Sequence, residues 1–439
     1  MFFIYSIVYT LGFIILLPRF VFDVIFKGKY AAGFKQRLGF IPKLEPSRNK
    51  VIWLHCVSVG EVNAARPLAL QITERFPGTK LVVSTTTRTG QQMARTALAD
   101  VADLVFYFPF DWRWTIRRAF KRLKPAVVLL TETEIWFNFL RTAHESDART
   151  AIVNGRISER SFRRYGYIRG WMARIFHDID LALMQENIDA TRLMSLGMRA
   201  HKVKVTGNLK FDHGVDADET ELTGLFRERF GITSDAPLII AASTHSPEEA
   251  WLLDAFKDVL GSSDFVRPRL MIAPRHPERF SEVAELIGGT GLTWTRRSQR
   301  ASADDKLADV ILLDSIGELR AAFPLAELVF VGGSLIKHGG QSIFEPAAAG
   351  RAILTGPHTS NFDSAVKEFL DKDALVQLPA LSNTQIVPAL VKTFNELLSD
   401  DQRRKKLGDA ALKVMQQNRG AVGRTLDYLE PLIGKAEAK

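Results

Sequence analysis

The stretch Val51-Ile52-Trp53-Leu54-His55-Cys56-Val57-Ser58-Val59-Gly60-Glu61 decides the fold. Val51–His55 is short and almost wholly apolar, as a strand covered on both faces must be. A turn of small residues follows, and Val62–Phe76 then takes up helical periodicity. Strand, turn and helix in that order open a βαβ unit, and the same alternation recurs along the chain.

In the first half, further strands are expected at Leu81–Thr85, Leu104–Phe108, Ala126–Thr131, Ala151–Val153, Leu181–Met184 and Val203–Thr206, with a helix at Trp112–Leu123. Around Phe211 to Ala236 the alternation lapses into a polar stretch rich in Asp and Glu. It resumes at Leu238–Ala242, Leu270–Ala273, Val310–Leu313, Leu328–Val331 and Ala352–Leu354. A chain of 439 residues exceeds what one core supports. The expectation is therefore α/β: two Rossmann-like domains with parallel sheets, joined by the polar stretch and facing an interdomain cleft. Ligands bind at the carboxyl ends of such strands. Asp400–Lys439 reads as a helical tail that crosses back onto the first domain.

Phe2–Leu17 is uncharged and mostly apolar, and Pro18-Arg19 breaks the run before Phe20–Phe26. A helix over that run would span about 24 Å, short of the ~30 Å hydrocarbon core. The segment either crosses with its flanks included or lies embedded as a monotopic anchor. A cleaved signal peptide is disfavoured, because no Lys or Arg precedes the run and no small-residue cleavage site follows. Lys27, Lys29, Lys35 and Arg37 come next, and the positive-inside rule holds that side in the cytoplasm.

The formal net charge of +9 points to anionic partners. A single cysteine, Cys56, excludes an intramolecular disulfide and a CxxC zinc site. No GxxxxGK[ST] is present, which argues against a P-loop enzyme, and no GxGxxG follows a first strand, which argues against a dinucleotide dehydrogenase. The nine histidines are scattered, with no HExxH, so no metal and no cofactor are expected.

The residues that follow the strands are where chemistry is to be sought. Glu61 sits at a helix start, where the macrodipole and free amides favour its ionised form. From spacing alone, Ser58-x-x-Glu61 reads better as a plain capping box. His55 and Cys56 point to opposite faces and cannot readily form a dyad. Thr131-Glu132-Thr133-Glu134 brings two carboxylates to a strand end, for helix-start charge complementarity or for a task. Lys210, in Gly207-Asn208-Leu209-Lys210, is placed to neutralise a phosphate or sugar acid. In the second half, Ser243-Thr244-His245, Pro274-Arg275-His276, Ser315-Ile316-Gly317-Glu318, Gly332-Gly333-Ser334 and Gly339-Gly340-Gln341-Ser342-Ile343-Phe344-Glu345 form polar or glycine-rich loops. Together they read as a nucleotide site, with Arg275 suited to a bidentate phosphate contact and Glu345 to ribose hydroxyls.

Taken in order, these motifs resemble those of the Kdo transferases, which move 3-deoxy-D-manno-octulosonate from CMP-Kdo to a lipid A precursor. The resemblance runs from the apolar leader and Arg37-Leu38-Gly39 through Ser58-Val59-Gly60-Glu61, Thr131–Trp136 and Gly207–Asp212. It continues through Pro274–Arg279, Gly317-Glu318-Leu319, Gly332–Leu335 and Gly356-Pro357-His358 with Asn361-Phe362. It implies the GT-B type. By the same resemblance Glu61 is the general base, while Glu132 and Lys210 support the transition state. The CMP contacts fall on Pro274, Arg275, Ile316, Gly317, Glu318, Ser342, Ile343, Phe344 and Glu345. Ser243, Thr244, Gly332, Gly333, Ser334 and Asn361 are further donor-site candidates. The chain departs from the family pattern at Phe137-Asn138, where Pro-Asn is common, and in Ser342-Ile343-Phe344, where an Asn-containing run is usual.

The implied organisation is a membrane anchor over 1–28, an acceptor-binding domain over 29–212, a CMP-sugar-binding domain over 213–420 and a helical tail over 421–439. The implied reaction is metal-independent, inverting transfer to lipid IVA, with the catalytic domains on the cytoplasmic side of the inner membrane. Arg113, Arg117, Arg118, Lys121, Arg122 and Lys124, interleaved with Trp112, Trp114, Ile116 and Phe120, suit an anionic membrane surface, as do Arg156, Arg160, Arg163, Arg164 and Arg169. No nucleic-acid partner is expected. A GT-B enzyme using a UDP-sugar and a non-catalytic membrane-tethered binding protein are the rival readings.

Overall fold

Successive strand residues face opposite sides of a sheet, and β1 (Lys50–His55) sorts its side chains accordingly. Val51 and Trp53 enter one apolar layer, while Ile52, Leu54 and the following Cys56 enter the other. Trp53 is wholly buried among Phe106, Phe120 and Phe139, with ring centroids 4.9–5.3 Å away. Its indole N–H donates to Ser84 Oγ at 2.7 Å, so the one polar atom of the ring has a partner.

The computed structural model describes residues 2–27, 33–45, 49–212, 217–233, 236–262 and 267–435. Contacts divide the chain into two units, Met1–Asp212 with Asn418–Lys439, and His213–Gln417. Lys29 and the 28/29 boundary lie outside the described residues.

The first unit continues with β2 (Thr79–Thr85), β3 (Leu104–Tyr107), β4 (Val127–Thr131), β5 (Arg149–Gly155), β6 (Leu181–Met184) and β7 (Val203–Val205). They form one parallel sheet in the order β3-β2-β1-β4-β5-β6-β7. The second unit holds β8 (Leu238–Thr244), β9 (Arg269–Pro274), β10 (Trp294–Arg296), β11 (Val310–Leu312), β12 (Leu328–Val331), β13 (Ala352–Thr355) and β14 (Val376–Gln377). Its parallel sheet runs β10-β11-β9-β8-β12-β13-β14. Each sheet is doubly wound, with apolar layers on its faces. The expected strands occur, with ends displaced by a few residues. β10 and β14 escape the sequence pattern because these short edge strands carry Thr, Arg and Gln in place of an apolar run.

Two expectations fail. The polar stretch from Phe211 to Ala236 is largely the helix Ala217–Phe230, whose acidic face hides an apolar one bearing the buried Phe226 and Phe230. Pro18 does not end the first helix, which runs unbroken over Phe2–Lys27 and so reaches about 39 Å. At its carboxyl end, the helix Ala421–Lys435 lays Val422, Leu426, Leu429 and Ile433 into the first unit's core. The Asp212 carboxylate fixes its entry by accepting the Gly420 and Val422 N–H groups at 2.6 and 2.5 Å.

Phe2–Arg19 is long and apolar enough to cross a membrane by length and composition. Phe3, Ile4, Ile7, Val8, Leu11, Ile14 and Ile15 are exposed. The polar side of the same helix is bolted to the first unit. Tyr5 donates its hydroxyl to Asp111 Oδ2 at 2.8 Å, the Asp111 N–H donates to Tyr9 Oη at 3.2 Å, and the Trp112 indole donates to Thr10 Oγ1 at 3.0 Å. Asp111 is wholly buried and also accepts the Asn138 and Phe139 N–H groups at 3.1 and 2.8 Å. Asp111→Ala leaves those donors unpaired, which costs roughly 2–4 kcal/mol. Thermal unfolding in detergent should show Tm lowered by roughly 5–15 °C, with Tyr5→Phe giving a smaller fall.

Candidate active site

In the first sheet the winding reverses between β1 and β4, the place where doubly wound sheets bind their ligands. Glu61 stands on the first turn of the helix Val59–Arg75, beyond β1, and is only 7% exposed. Its Oε2 accepts the Thr131 hydroxyl at 2.6 Å and the Val57 N–H at 2.8 Å, and its Oε1 accepts the Ser58 hydroxyl at 3.2 Å. Thr131 ends β4 and also contacts the His55 carbonyl at 2.8 Å, so one hydroxyl joins the two strand ends to the carboxylate. A capping box is not what forms. Ser58 makes no side-chain cap bond, and Glu61 takes the N–H of Val57, not of Ser58.

The expectation of a readily ionised Glu61 is also corrected. Burial, and after it the Glu132 carboxylate, push its pKa up to about 7, although Thr131 and Val57 pull the other way. Desolvation outweighs the helix start because the side chain lies beneath the loop and its acidic neighbours. Glu134 is raised for the same two reasons.

Glu132 adopts a left-handed backbone conformation, φ 53°, immediately after β4. Its Oε1 lies 3.3 Å from Lys210 Nζ. Lys210 is carried on a short helical turn, Leu209–Asp212, that Asn154 secures: the Asn154 Oδ1 accepts the Leu209 N–H at 3.0 Å. Asn208 Oδ1 in turn accepts the Lys210 N–H at 3.0 Å. Glu132 and Lys210 are thus paired, and Glu132 acts electrostatically on Glu61. Thr131 and Asn154 carried no assigned part in the sequence. The available signal was polarity at the last turn of an otherwise apolar strand.

His55 and Cys56 face opposite ways. Burial holds His55 down to about 3, and its Nδ1 meets Ser84 Oγ at 2.9 Å. Burial, and then Glu61, raise the Cys56 thiol well above its ordinary range, so neither forms an ionised nucleophile–base pair.

In the second sheet the reversal falls between β8 and β12. Ser243 (φ 55°) and Thr244 leave β8, and Gly332, Gly333 and Ser334 leave β12. A Cβ on Gly332 would stand 2.6 Å from the Ser243 carbonyl oxygen, so only glycine lets these loops meet. Glu248, wholly buried, staples them: its carboxylate accepts the N–H groups of His245, Gly333, Ser334 and Leu335 at 2.7–3.0 Å. Arg275 joins this group through its N–H to the Thr244 carbonyl at 3.0 Å, with Pro274 ending β9 beside it. Asn361 holds the adjoining loop by donating to the His338 and Gly340 carbonyls at 3.2 Å.

The remaining donor-site candidates are less uniform. Ile316 is 62% exposed, Gly317 has φ 88°, and Glu318 bonds Arg297 at 2.9 Å. The Ser342 hydroxyl donates to Glu345. Ile343 and Phe344 are buried.

The basic helix Arg113–Leu123 is partly committed to the protein itself. Ile116 and Phe120 belong to the core, Arg113 and Arg117 pair with Glu145 at 2.9 and 3.1 Å, and Arg118 and Arg122 donate to the Leu38 and Ile41 carbonyls. The sequence run contains no acid because its counter-ion comes from a neighbouring helix.

The family model described as 3-Deoxy-D-manno-octulosonic-acid transferase (kdotransferase) matches residues 32–213. The 3-deoxy-D-manno-octulosonic acid transferase of Haemophilus influenzae is 32% identical over 92% of this chain and 92% of its own length. That of Bordetella pertussis is 32% identical over 87% of each. Among solved structures, a glycosyltransferase from Rickettsia africae superposes with a TM-score of 0.56 over 89% of this chain and all of its own, at 12% identity, a likeness of fold alone. The chain has the two-Rossmann GT-B fold and belongs to the 3-deoxy-D-manno-octulosonic acid transferase family.

Proposed function

We propose that the chain transfers Kdo from CMP-Kdo to a hydroxyl of a lipid A precursor, lipid IVA, with inversion, without a metal and with release of CMP. Family membership supports Kdo transfer in lipopolysaccharide synthesis. The observation that carries the mechanism is Glu61: a buried carboxylate oriented by Thr131, the Val57 amide and Ser58 at the first sheet's reversal point, with its ionisation moved to about 7.

As the C–O bond between the anomeric carbon and the CMP phosphate lengthens, positive charge develops at that carbon. The acceptor hydroxyl attacks from the opposite face, and Glu61 takes its proton. A base with a pKa near the working pH combines an adequate ionised fraction with adequate proton affinity, a contribution of about 10²–10⁴-fold. The Glu132–Lys210 pair supplies fixed charge of both signs close by, and Arg275 is suited to the leaving phosphate. Pro274, the Ile316–Glu318 loop and Ser342–Glu345 complete the proposed CMP site, with Ser243, Thr244, Gly332, Gly333, Ser334 and Asn361 shaping the adjoining loops.

The exposed apolar side of the first helix and exposed basic residues such as Lys121 suit an anionic membrane surface. This reading puts the enzyme at the inner membrane with its chemistry on the cytoplasmic side, where the acceptor would be met.

Glu61→Ala should abolish transfer to lipid A precursor, read by mass spectrometry, while CMP binding by calorimetry is retained. Substantial residual turnover would sink the assignment. The kcat profile should rise with pH through about 7 as Glu61 loses its proton. Glu132→Gln removes the neighbouring negative charge and should move that limb to lower pH. Thr131→Val removes a hydrogen bond to the ionised form and should move it to higher pH; an unmoved limb in both variants would assign it elsewhere.

A further inference from the structure

Three histidines that sequence spacing leaves scattered meet at the reversal point of the second sheet. His245 follows β8, His276 follows β9 and His338 lies on the loop after β12. The His245 ring centroid is 4.2 Å from that of His338 and 5.3 Å from that of His276. His276 and His338 are exposed, whereas His245 beneath them is 94% buried by its 6% exposure. The His245 Nδ1 lies 3.2 Å from the Ser243 carbonyl oxygen, and its Nε2 is buried with no hydrogen-bond partner. Gly333 leaves room for the stack: a Cβ there would stand 3.3 Å from His338 Nδ1 and 3.5 Å from His245 Cε1.

The charges around the cluster favour an anion. Arg275 adjoins His276 and lowers the affinity of His245 for a proton, as do the two other imidazoles. The carboxylates on the neighbouring helix are already engaged. Glu248 accepts four backbone N–H groups, and Glu249 pairs with Arg279 at 2.7 Å. Glu278 stands 3.9 Å from His276 but is largely exposed. A resident metal does not account for the arrangement, since no group of three His, Cys, Asp or Glu side chains among the described residues could hold one.

We propose that His245, His276 and His338, with Arg275, form the oxyanion subsite of the donor, receiving a phosphate or carboxylate oxygen. This rests on the reading of the second unit as the donor domain. Empty, the cluster keeps His245 neutral: burial, and then His338 and His276, hold it down to about 4. A bound oxyanion supplies the missing countercharge, so binding draws a proton from solvent onto the imidazoles. When the anion leaves, the proton returns to solvent, which couples product release to pH.

The test uses the full-length enzyme in detergent. Between pH 5.5 and 8 the phosphodiester and carboxylate of CMP-Kdo keep their charge, so a slope in its KM reports the protein. KM should rise with pH, by up to about tenfold per unit for one linked proton. His245→Gln should flatten the slope and hold KM at its high-pH value, and the exposed-site variant His338→Gln should make it shallower. Inhibition by CMP at pH 7.5 separates the two anions. Equal weakening of CMP and donor in the variants assigns the phosphate; weakening of the donor alone assigns the carboxylate. Identical KM slopes in wild type and both variants would overturn the subsite. If CMP-Kdo is not turned over, the donor reading fails separately, and inorganic sulfate becomes the probe. A rise in the His245 titration midpoint by NMR then supports the cluster, and an unmoved midpoint overturns it.

Discussion

A single hydrogen bond, from the Thr131 hydroxyl to the Glu61 carboxylate, ties the end of β4 to the first turn of the helix that follows β1. In a doubly wound sheet the helices after two such neighbouring strands pack on opposite faces, and ligands bind at that reversal point. The same hydroxyl lies 2.8 Å from the His55 carbonyl oxygen at the end of β1. The carboxylate is therefore held at a fixed place with little exposure, and its raised proton affinity follows from the desolvation that this fixing entails.

The second unit uses a comparable device with a different chemical result. Glu248, like Glu61, lies on the first turn of the helix after the strand at its sheet's reversal point, and it too reaches across to the loop after the neighbouring strand. There the carboxylate meets four backbone N–H groups, and its proton-accepting capacity is spent on holding the loops. Burial raises it, and those amides pull it back. Glu61 has fewer donors and an acidic neighbour, which leaves it chemically available. The same geometry thus gives a structural staple in one sheet and a proposed base in the other, and the count of donors separates them.

The first helix has two unlike sides. Its exposed side is apolar, but Tyr5, Tyr9 and Thr10 on the other side meet Asp111 and Trp112, which begin the basic helical region of the first unit. Docked in this way, the helix axis has a fixed orientation relative to the first sheet. Asn138, next to Phe137 where the local sequence departs from the family pattern, takes part in the same joint by donating its side-chain amide to the Asp111 carbonyl at 2.6 Å.

The sequence by itself determined the alternation of strand and helix, because strands covered on both faces must be apolar in short runs, and it located Glu61, Glu132, Lys210 and Arg275 after strand ends. It could not show β10 and β14, which lie at sheet edges and need no apolar run, nor the helix inside the acidic stretch, whose buried Phe226 and Phe230 are few among charges. Pro18 looked like a stop because local rules treat it as one, yet the helix on either side continues through it. Only the tertiary structure decided the state of Glu61 and the meeting of His245, His276 and His338. Proton affinity depends on burial and on charges brought close from distant positions, and parallel winding sets residues nearly a hundred apart on neighbouring loops. Those terms are absent from any local stretch of chain.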